Sequence, residues 1–144
     1  MDIVSACVIG QKCRYDGGAC TNEKLKKLHE QGKLKALCPE VMAGLETPRT
    51  PMEIVGGDGS DVLAGEARVV SKDGRDVTEQ FVKGAQLALA AAEQCGAQKA
   101  YLQSRSPSCG CAKVYDGSFS GSFKKGDGVT TALLKKNGIK IIEV

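Results

Sequence analysis

Short apolar runs alternate with amphipathic segments along most of the chain. Runs rich in Val, Ile, Leu and Ala predict buried strands at residues 2–9, 33–38, 99–103 and 139–144. Apolar side chains at helical spacing predict helices over residues 22–31, 77–95 and 129–136. Strands that alternate with helices predict an α/β fold, a three-layer Rossmann-like parallel sheet with helices on both faces.

The region from residue 41 to residue 76 does not follow this alternation. Met52–Val55 and Glu66–Val70 are predicted as strands, and the sequence Gly-Gly-Asp-Gly at 56–59 is predicted as the turn between them. We therefore expect a small antiparallel β insertion here. Residues 1–144 are expected to form a single domain, and Ser104–Gly126 is predicted as a long loop rich in Ser and Gly.

Composition and charge narrow the function classes. Aromatic residues make up 4% of the chain and the net charge is +3, and basic stripes with interleaved aromatic residues are missing, so nucleic-acid binding is not expected. No run approaches the length of a membrane span, and the first residues have no basic, signal-like region, so a cytoplasmic, non-membrane protein is expected. Seven cysteines in a reducing compartment then indicate metal or thiol chemistry instead of disulfides.

Three cysteines fall near the predicted carboxyl ends of parallel strands. Cys7 lies near the end of the first strand, Cys38 ends the second, and Cys109 lies in the loop after the strand at 99–103. Ligands of open α/β sheets bind at this edge, so these thiols are expected to share a metal site. Thiolates select zinc, copper(I) or iron–sulfur clusters, and the residue types alone leave those three open. His29, the single histidine, is expected to be exposed.

The remaining cysteines carry weaker expectations. Cys95 falls on the apolar face of the predicted helix and is expected to be a core residue. Cys13 and Cys111 each neighbour a proposed ligand, so each is an alternative ligand or a nearby thiol. Cys20 has no implied partner.

Several blocks of the sequence resemble one protein family. They are Val4–Gly10, Cys13–Gly18, Cys38-Pro39-Glu40, Thr47–Pro51, Ser104–Gly110, Tyr115–Gly121 and Gly126–Thr130. Together they resemble the 2-thiouracil desulfidases, formerly a domain-of-unknown-function family, in its short single-domain form. The block Ser-Arg-Ser-Pro-Ser-Cys-Gly is the most specific. Cys111 departs from the family pattern, in which a small residue such as Ser or Ala is expected.

The resemblance implies a [4Fe-4S] cluster held by Cys7, Cys38 and Cys109, with one iron free of protein ligands. It also implies a catalytic carboxylate, which Glu40 matches, and a serine among Ser104, Ser106 and Ser108, of which Ser106 is favoured. The implied reaction is non-redox: water replaces the sulfur of a thiocarbonyl compound, such as 2-thiouracil or a thiolated nucleoside, giving uracil and hydrogen sulfide in the case of thiouracil.

Further residues of these blocks are candidates for substrate contacts. Arg14, Arg49 and Arg105 are each placed to orient a substrate carbonyl or phosphate, or to pair with a carboxylate near the site. Of these, Arg14 and Arg49, together with Ser104, are predicted substrate-binding residues. The stretch Ser118–Gly128 precedes a predicted helix and is expected either to bind an anion through backbone N–H groups or to act as a lid.

Two other functions remain compatible with the thiols. A non-catalytic zinc- or sulfur-binding module would use the same cysteines and would have no need of Glu40. A thiol redox protein is the second alternative, although its usual Cys-x-x-Cys motif is absent from the sequence.

Overall fold

The structure, a computed structural model, describes residues 1–12, 15–17 and 21–144. The strands are β1 (Asp2–Ser5), β2 (Leu34–Leu37), β3 (Met52–Val55), β4 (Arg68–Ser71), β5 (Lys99–Leu102), β6 (Lys113–Tyr115), β7 (Phe123–Lys125) and β8 (Lys140–Glu143). The α-helices are α1 (Glu23–Glu30), α2 (Pro39–Met42), α3 (Gly59–Leu63), α4 (Thr78–Gln94) and α5 (Val129–Lys136), and a 3₁₀ helix covers Ala6–Ile9.

Four strands form a parallel sheet in the order β2-β1-β5-β8, so the carboxyl ends of β1, β2 and β5 lie side by side. Ile3 packs with side chains of α4 and α5 on one face, and Val4 packs with Leu25 of α1 on the other. Because successive side chains of a strand point to opposite faces, β1 is buried on both sides. The predicted α/β sheet with helices on both faces is confirmed.

The insertion is an antiparallel hairpin of β3 and β4, separate from the parallel sheet, that packs against α4 and α5. Its apolar side chains form a second core cluster with Phe81 of α4 and Val129 of α5. The connection between the two strands is longer than the predicted turn at 56–59: a bend at 56–57 leads into the helix α3, which begins at Gly59. Its first turn is closed by a capping box, in which Asp61 N donates to Asp58 Oδ1 at 3.2 Å and Asp58 N donates to Asp61 Oδ2 at 2.9 Å.

The boundaries of several elements differ from the prediction. The strand predicted over residues 2–9 ends at Ser5, and Cys7 lies in the 3₁₀ helix that follows it. The apolar run cannot reveal this change, because Ala6–Ile9 is as buried as the strand. The predicted loop Ser104–Gly126 contains a further antiparallel hairpin, β6 with β7.

The helix predicted over residues 77–95 is present as α4, with Asp76 Oδ1 accepting from Thr78 N at its start. Asn22 caps α1, because its side chain accepts from Leu25 N at 3.2 Å. Within the described residues, no helix combines the length and the apolar character that a membrane span needs.

Candidate active site

The three cysteines predicted to converge do so at the carboxyl edge of the sheet. Cys7 follows β1 in the 3₁₀ helix, Cys38 is the residue before α2, and Cys109 lies in the loop after β5. All three line one small cavity, which we call the thiol cavity. Pro39 occupies the first position of α2, where its fixed φ suits the helix and directs the chain away from Cys38.

The loop that carries Cys109 is fixed by the first turn of α5. Val129 N donates to Pro107 O at 2.8 Å, and Thr130 N donates to Ser108 O at 2.9 Å. Gly128 N donates to Gly110 O at 2.8 Å, and a Cβ on Gly128 would lie 2.5 Å from the carbonyl group of Ser108. The backbone N–H groups at the start of α5 are therefore used by protein carbonyls. They are not available to an anion at this helix start.

The thiols surround a space and do not meet at one point. A single zinc ion would bring each sulfur to about 2.3 Å from one centre. Among the described residues, no three Cys, His, Asp or Glu side chains lie close enough together to hold one metal ion. In an iron–sulfur cluster each thiolate binds its own iron atom, so thiols that share a cavity while lying further apart fit that group better.

The thiol of Cys109 is fully enclosed. Burial raises the pKa of Cys109 to about 12, and the neighbouring Cys38 thiol and the Glu40 carboxylate add to the rise, while hydrogen bonds with Ser108 and Ser5 oppose it. A thiolate in this position needs a cation beside it. A metal centre bound to the cavity's thiols would supply that positive charge.

Glu40 stands beside the thiol cavity with both carboxylate oxygens engaged. Arg49 donates to Oε1 from Nε at 3.1 Å and from Nη2 at 3.0 Å. The Ser108 hydroxyl donates to Oε2 at 2.8 Å. The Arg49 side chain is 4% exposed and that of Glu40 is 12% exposed, so this is an almost enclosed ion pair.

The two serines of the loop form a hydrogen-bonded row that ends at Glu40. Ser106 Oγ lies 3.3 Å from Ser108 Oγ and accepts a hydrogen bond from Cys109 N at 2.8 Å. Ser108 has one hydroxyl proton, and both of its acceptors, Glu40 Oε2 at 2.8 Å and the Cys109 sulfur at 3.7 Å, need that proton. Ser106 is therefore the donor in the contact between the serines. The row therefore runs from Ser106 through Ser108 to the carboxylate.

A second cavity, which we call the large cavity, adjoins the thiol cavity and measures about 610 Å³. Three residues line both cavities: Glu40, Gln103 and Ser106. Most of the rest of its wall comes from the β insertion, the loop after β5 and the β6–β7 hairpin, and includes Glu53, Lys72, Ser104, Arg105, Tyr115 and Phe119. Tyr15, which precedes α1, completes it. A volume of this size fits a small organic molecule beside the thiols.

Comparison with known proteins shows which family the chain belongs to. A family model described as 2-thiouracil desulfurase matches residues 3–144. The chain belongs to this family. The resemblance noted in the sequence is thereby confirmed over nearly the whole chain.

Two relatives of the family illustrate the match. The Bacillus subtilis (strain 168) protein YbbK, described as uncharacterised, is 46% identical over 142 residues, which are 99% of this chain and 94% of YbbK. The solved structure of the [4Fe-4S]-dependent thiouracil desulfidase TudS superposes with a TM-score of 0.86 at 42% identity. The match covers 99% of this chain and 89% of that one.

The other predicted site residues occupy distinct positions. Ser104 lines the large cavity, whereas Arg49 lines the thiol cavity and pairs with Glu40, which is the second of the two roles expected for it from the sequence. Arg14 lies outside the described residues, as do Cys13, an alternative thiol, and Cys20, for which the sequence implies no partner.

Cys95 and Cys111 border neither cavity. Cys95 is partly buried at the end of α4. Cys111 lies beside Lys135. Partial burial lowers the pKa of that lysine, but Asp127 and Cys111 outweigh burial and raise it above its usual value. Cys111 is thus next to the Lys135–Asp127 salt bridge and does not line the thiol cavity.

Sequence reasoning missed three polar residues of the site. Gln103 Oε1 accepts from the Cys7 thiol at 3.4 Å, and Ser5 Oγ accepts from Gln103 N at 3.0 Å. Glu53, in the insertion, reaches the wall of the large cavity. Ser5 is the last residue of β1 and Gln103 directly follows β5, so both lie at the sheet edge where the cysteines were expected. That placement is the signal that could have identified them. Glu53 has no such signal, because its role depends on how the insertion docks.

Proposed function

We propose that this chain is a [4Fe-4S]-dependent desulfidase that replaces the sulfur of a thiocarbonyl compound with oxygen. For 2-thiouracil the products are uracil and hydrogen sulfide. The observation that carries the proposal is the single cavity lined by Cys7, Cys38 and Cys109, which adjoins a cavity large enough for the substrate. Membership of the 2-thiouracil desulfurase family supports it, as does the likeness to TudS.

In this proposal Cys7, Cys38 and Cys109 hold the cluster. Three protein ligands leave one iron open, and the bound cluster supplies a soft Lewis acid for a thiocarbonyl sulfur. The oxygen of a water molecule forms a bond to the ring carbon and the carbon–sulfur bond breaks. The two protons of that water leave with the sulfide, so carbon keeps its oxidation state and no electron donor is needed.

Glu40 is the proposed general base. It borders both cavities, so a water molecule next to a bound thiocarbonyl carbon is within its reach. The Arg49 guanidinium orients the carboxylate and balances its charge. We therefore assign Arg49 to positioning Glu40, in place of the substrate contact expected from the sequence.

Ser106 is the proposed catalytic serine. Of the three candidate serines it alone borders both cavities, and its hydroxyl donates toward Ser108 and so toward Glu40. A proton released near Ser106 can pass along this row. Ser104 borders the large cavity alone and is proposed to contact the substrate. Arg14 is kept as a proposed substrate contact on the sequence resemblance.

The proposed substrate is a small thiolated molecule, thiouracil or a thiolated nucleoside. The large cavity accommodates either, because its volume of about 610 Å³ lies within the usual range for small-molecule sites. A cytoplasmic location is proposed, since reduced thiols are required to bind the cluster.

The test is anaerobic purification followed by analysis of metal, sulfide and activity. The proposal expects a brown protein with iron and acid-labile sulfide in equal amounts that releases hydrogen sulfide from 2-thiouracil. Cys111→Ala removes a thiol outside both cavities and serves as the control for replacing a cysteine. It should have the same colour, iron and sulfide content and activity as the wild type. A colourless protein that binds zinc on these thiols and does not act on thiouracil would establish the non-catalytic module instead.

A further inference from the structure

Glu53 is a carboxylate within the wall of the large cavity. It lies in the middle of β3, opposite Val70 of β4, and is 7% exposed. Charged side chains are rarely buried to this degree without partners, because an ionised group loses its hydration there. Its partners therefore indicate what it does.

One oxygen of Glu53 holds the loop between β6 and β7. Oε1 accepts from Gly117 N at 2.9 Å and from Phe119 N at 3.2 Å. Phe119 has a φ of 56°, a left-handed conformation that is uncommon for a bulky residue and that these bonds help to maintain. Phe119 and Gly121 of this loop form part of the cavity wall, so Glu53 Oε1 fixes that side of the cavity.

The other oxygen, Oε2, accepts no hydrogen bond from the part of the chain that the structure describes. In those same residues, the side-chain oxygens that are both unpaired and sealed from solvent belong to Thr130 and Thr131. Oε2 is thus unpaired but accessible, in a residue that borders the large cavity. It is the carboxylate atom left to bind a molecule that enters.

We propose that Glu53 Oε2 accepts a hydrogen bond from an N–H group of the substrate and selects thiocarbonyl compounds that carry one. The inference rests on the proposed function, which makes the large cavity the substrate site. An ionised carboxylate is an acceptor only, so it favours ring N–H groups such as the two of 2-thiouracil. A substrate that lacks the donor leaves a buried carboxylate oxygen unpaired, which is the usual origin of strong discrimination.

Glu53→Gln separates the two oxygens. The amide carbonyl still accepts from Gly117 and Phe119, which preserves the loop, while the amide NH₂ replaces the free acceptor with a donor. We expect the KM for 2-thiouracil to rise about 10- to 100-fold, the effect of losing a hydrogen bond to a charged group, with kcat changed by less than about 3-fold. Glu66→Gln, an exposed glutamate between β3 and β4, is the matched control.

The decisive comparison uses 1-methyl- and 3-methyl-2-thiouracil with the cluster-loaded enzyme. The wild type should lose at least about 10-fold in kcat/KM on the derivative whose methyl group replaces the recognised N–H, and Glu53→Gln should show no such preference. Equilibrium binding of uracil, measured by calorimetry, should weaken in the same variant and thus reports on Glu53 without turnover.

The outcomes separate the two proposals. If Glu53→Gln lowered kcat/KM equally on 2-thiouracil and on both methyl derivatives, Glu53 would act only through the loop. If Glu53→Gln had the same kinetic constants as the wild type, Glu53 would have no part in recognition. Either result overturns this inference and leaves the desulfidase intact. A cluster-loaded wild type that turns over none of these compounds would overturn the proposed function and the inference with it.

Discussion

At the scale of single residues, one carboxylate oxygen of Glu40 accepts hydrogen bonds from Arg49, and the other accepts one from Ser108 of the serine row. Glu40→Gln keeps the shape of the side chain and removes its basicity. We expect the variant to retain the visible absorption of the cluster and to bind thiouracil, while turnover falls by a factor on the order of 10² to 10⁴, the usual range for a general base. Absorption spectra and hydrogen sulfide release measure the two effects.

Two other outcomes would reassign Glu40. Loss of the cluster together with activity would make Glu40 a ligand or a structural residue. Near-normal turnover would place the base elsewhere, and Asp16, in the described segment that also carries the cavity residue Tyr15, would be the next residue to replace.

Arg49 gives a stability prediction. Both side chains of the Arg49–Glu40 ion pair are almost enclosed. Arg49→Met therefore leaves the Glu40 carboxylate buried without the guanidinium that balances its charge. We expect the free energy of unfolding to fall by about 3 kcal/mol, which corresponds to a decrease of roughly 10 °C in the Tm measured by anaerobic thermal unfolding. Combining Arg49→Met with Glu40→Gln removes both charges and should restore most of that loss. A double variant as unstable as the single one would show that Arg49 acts by packing alone.

The cysteines separate by position. Cys7→Ala, Cys38→Ala and Cys109→Ala should each abolish binding of an intact [4Fe-4S] cluster, because each removes a thiol of the shared cavity. Cys95→Ala removes a thiol at the end of α4 and should leave the iron content unchanged. Iron analysis after anaerobic reconstitution decides the matter. A full cluster in Cys109→Ala, with loss in Cys13→Ala or Cys111→Ala, would contradict the ligand assignment.

At the scale of elements, the close contact between α5 and the Cys109 loop should control cluster binding. In Gly128→Ala the new Cβ would clash with the Ser108 carbonyl and push the loop away from the sheet edge. We expect markedly lower iron content after reconstitution, although the mutated residue bears no ligand.

Ala132→Gly supplies the control for α5. It weakens the helix by about 1 kcal/mol through backbone entropy and leaves the loop contacts in place. Its iron content should equal that of the wild type. Equal iron losses in both variants would mean that general helix stability, and not the contact with Ser108, governs the site.

The elements differ in how well the sequence alone predicts them. Periodicity was sufficient for α4, α5 and the parallel strands, because those elements bury long apolar faces. It was insufficient for α2 and α3, which are one turn long and are fixed by Pro39 and by the Asp58–Asp61 capping box. The three thiols followed from the strand ends. Glu53 did not, because the docking of a hairpin on a loop has no local pattern in sequence.

At the scale of the whole molecule, the thiol cavity adjoins a large and open one, so a bound cluster would be reached by whatever enters with the substrate. We expect the anaerobically prepared protein to lose hydrogen sulfide release after exposure to air and to regain it on reconstitution with iron and sulfide. Assays before exposure, after it and after reconstitution provide the measurement. Full activity in a zinc-loaded, iron-free protein would contradict the iron–sulfur assignment.

Apart from the three residues that they share, the two cavities draw most of their walls from different parts of the chain. The thiols come from the ends of sheet strands and the loop that α5 fixes, while much of the large cavity's wall comes from the β insertion and the β6–β7 hairpin. The residues of the thiol cavity and those that shape the large cavity can therefore change separately in evolution. If the proposed function holds, exchange of the insertion or the hairpin offers a route to new substrates while the thiol cavity stays unchanged, and it is where an engineer should begin.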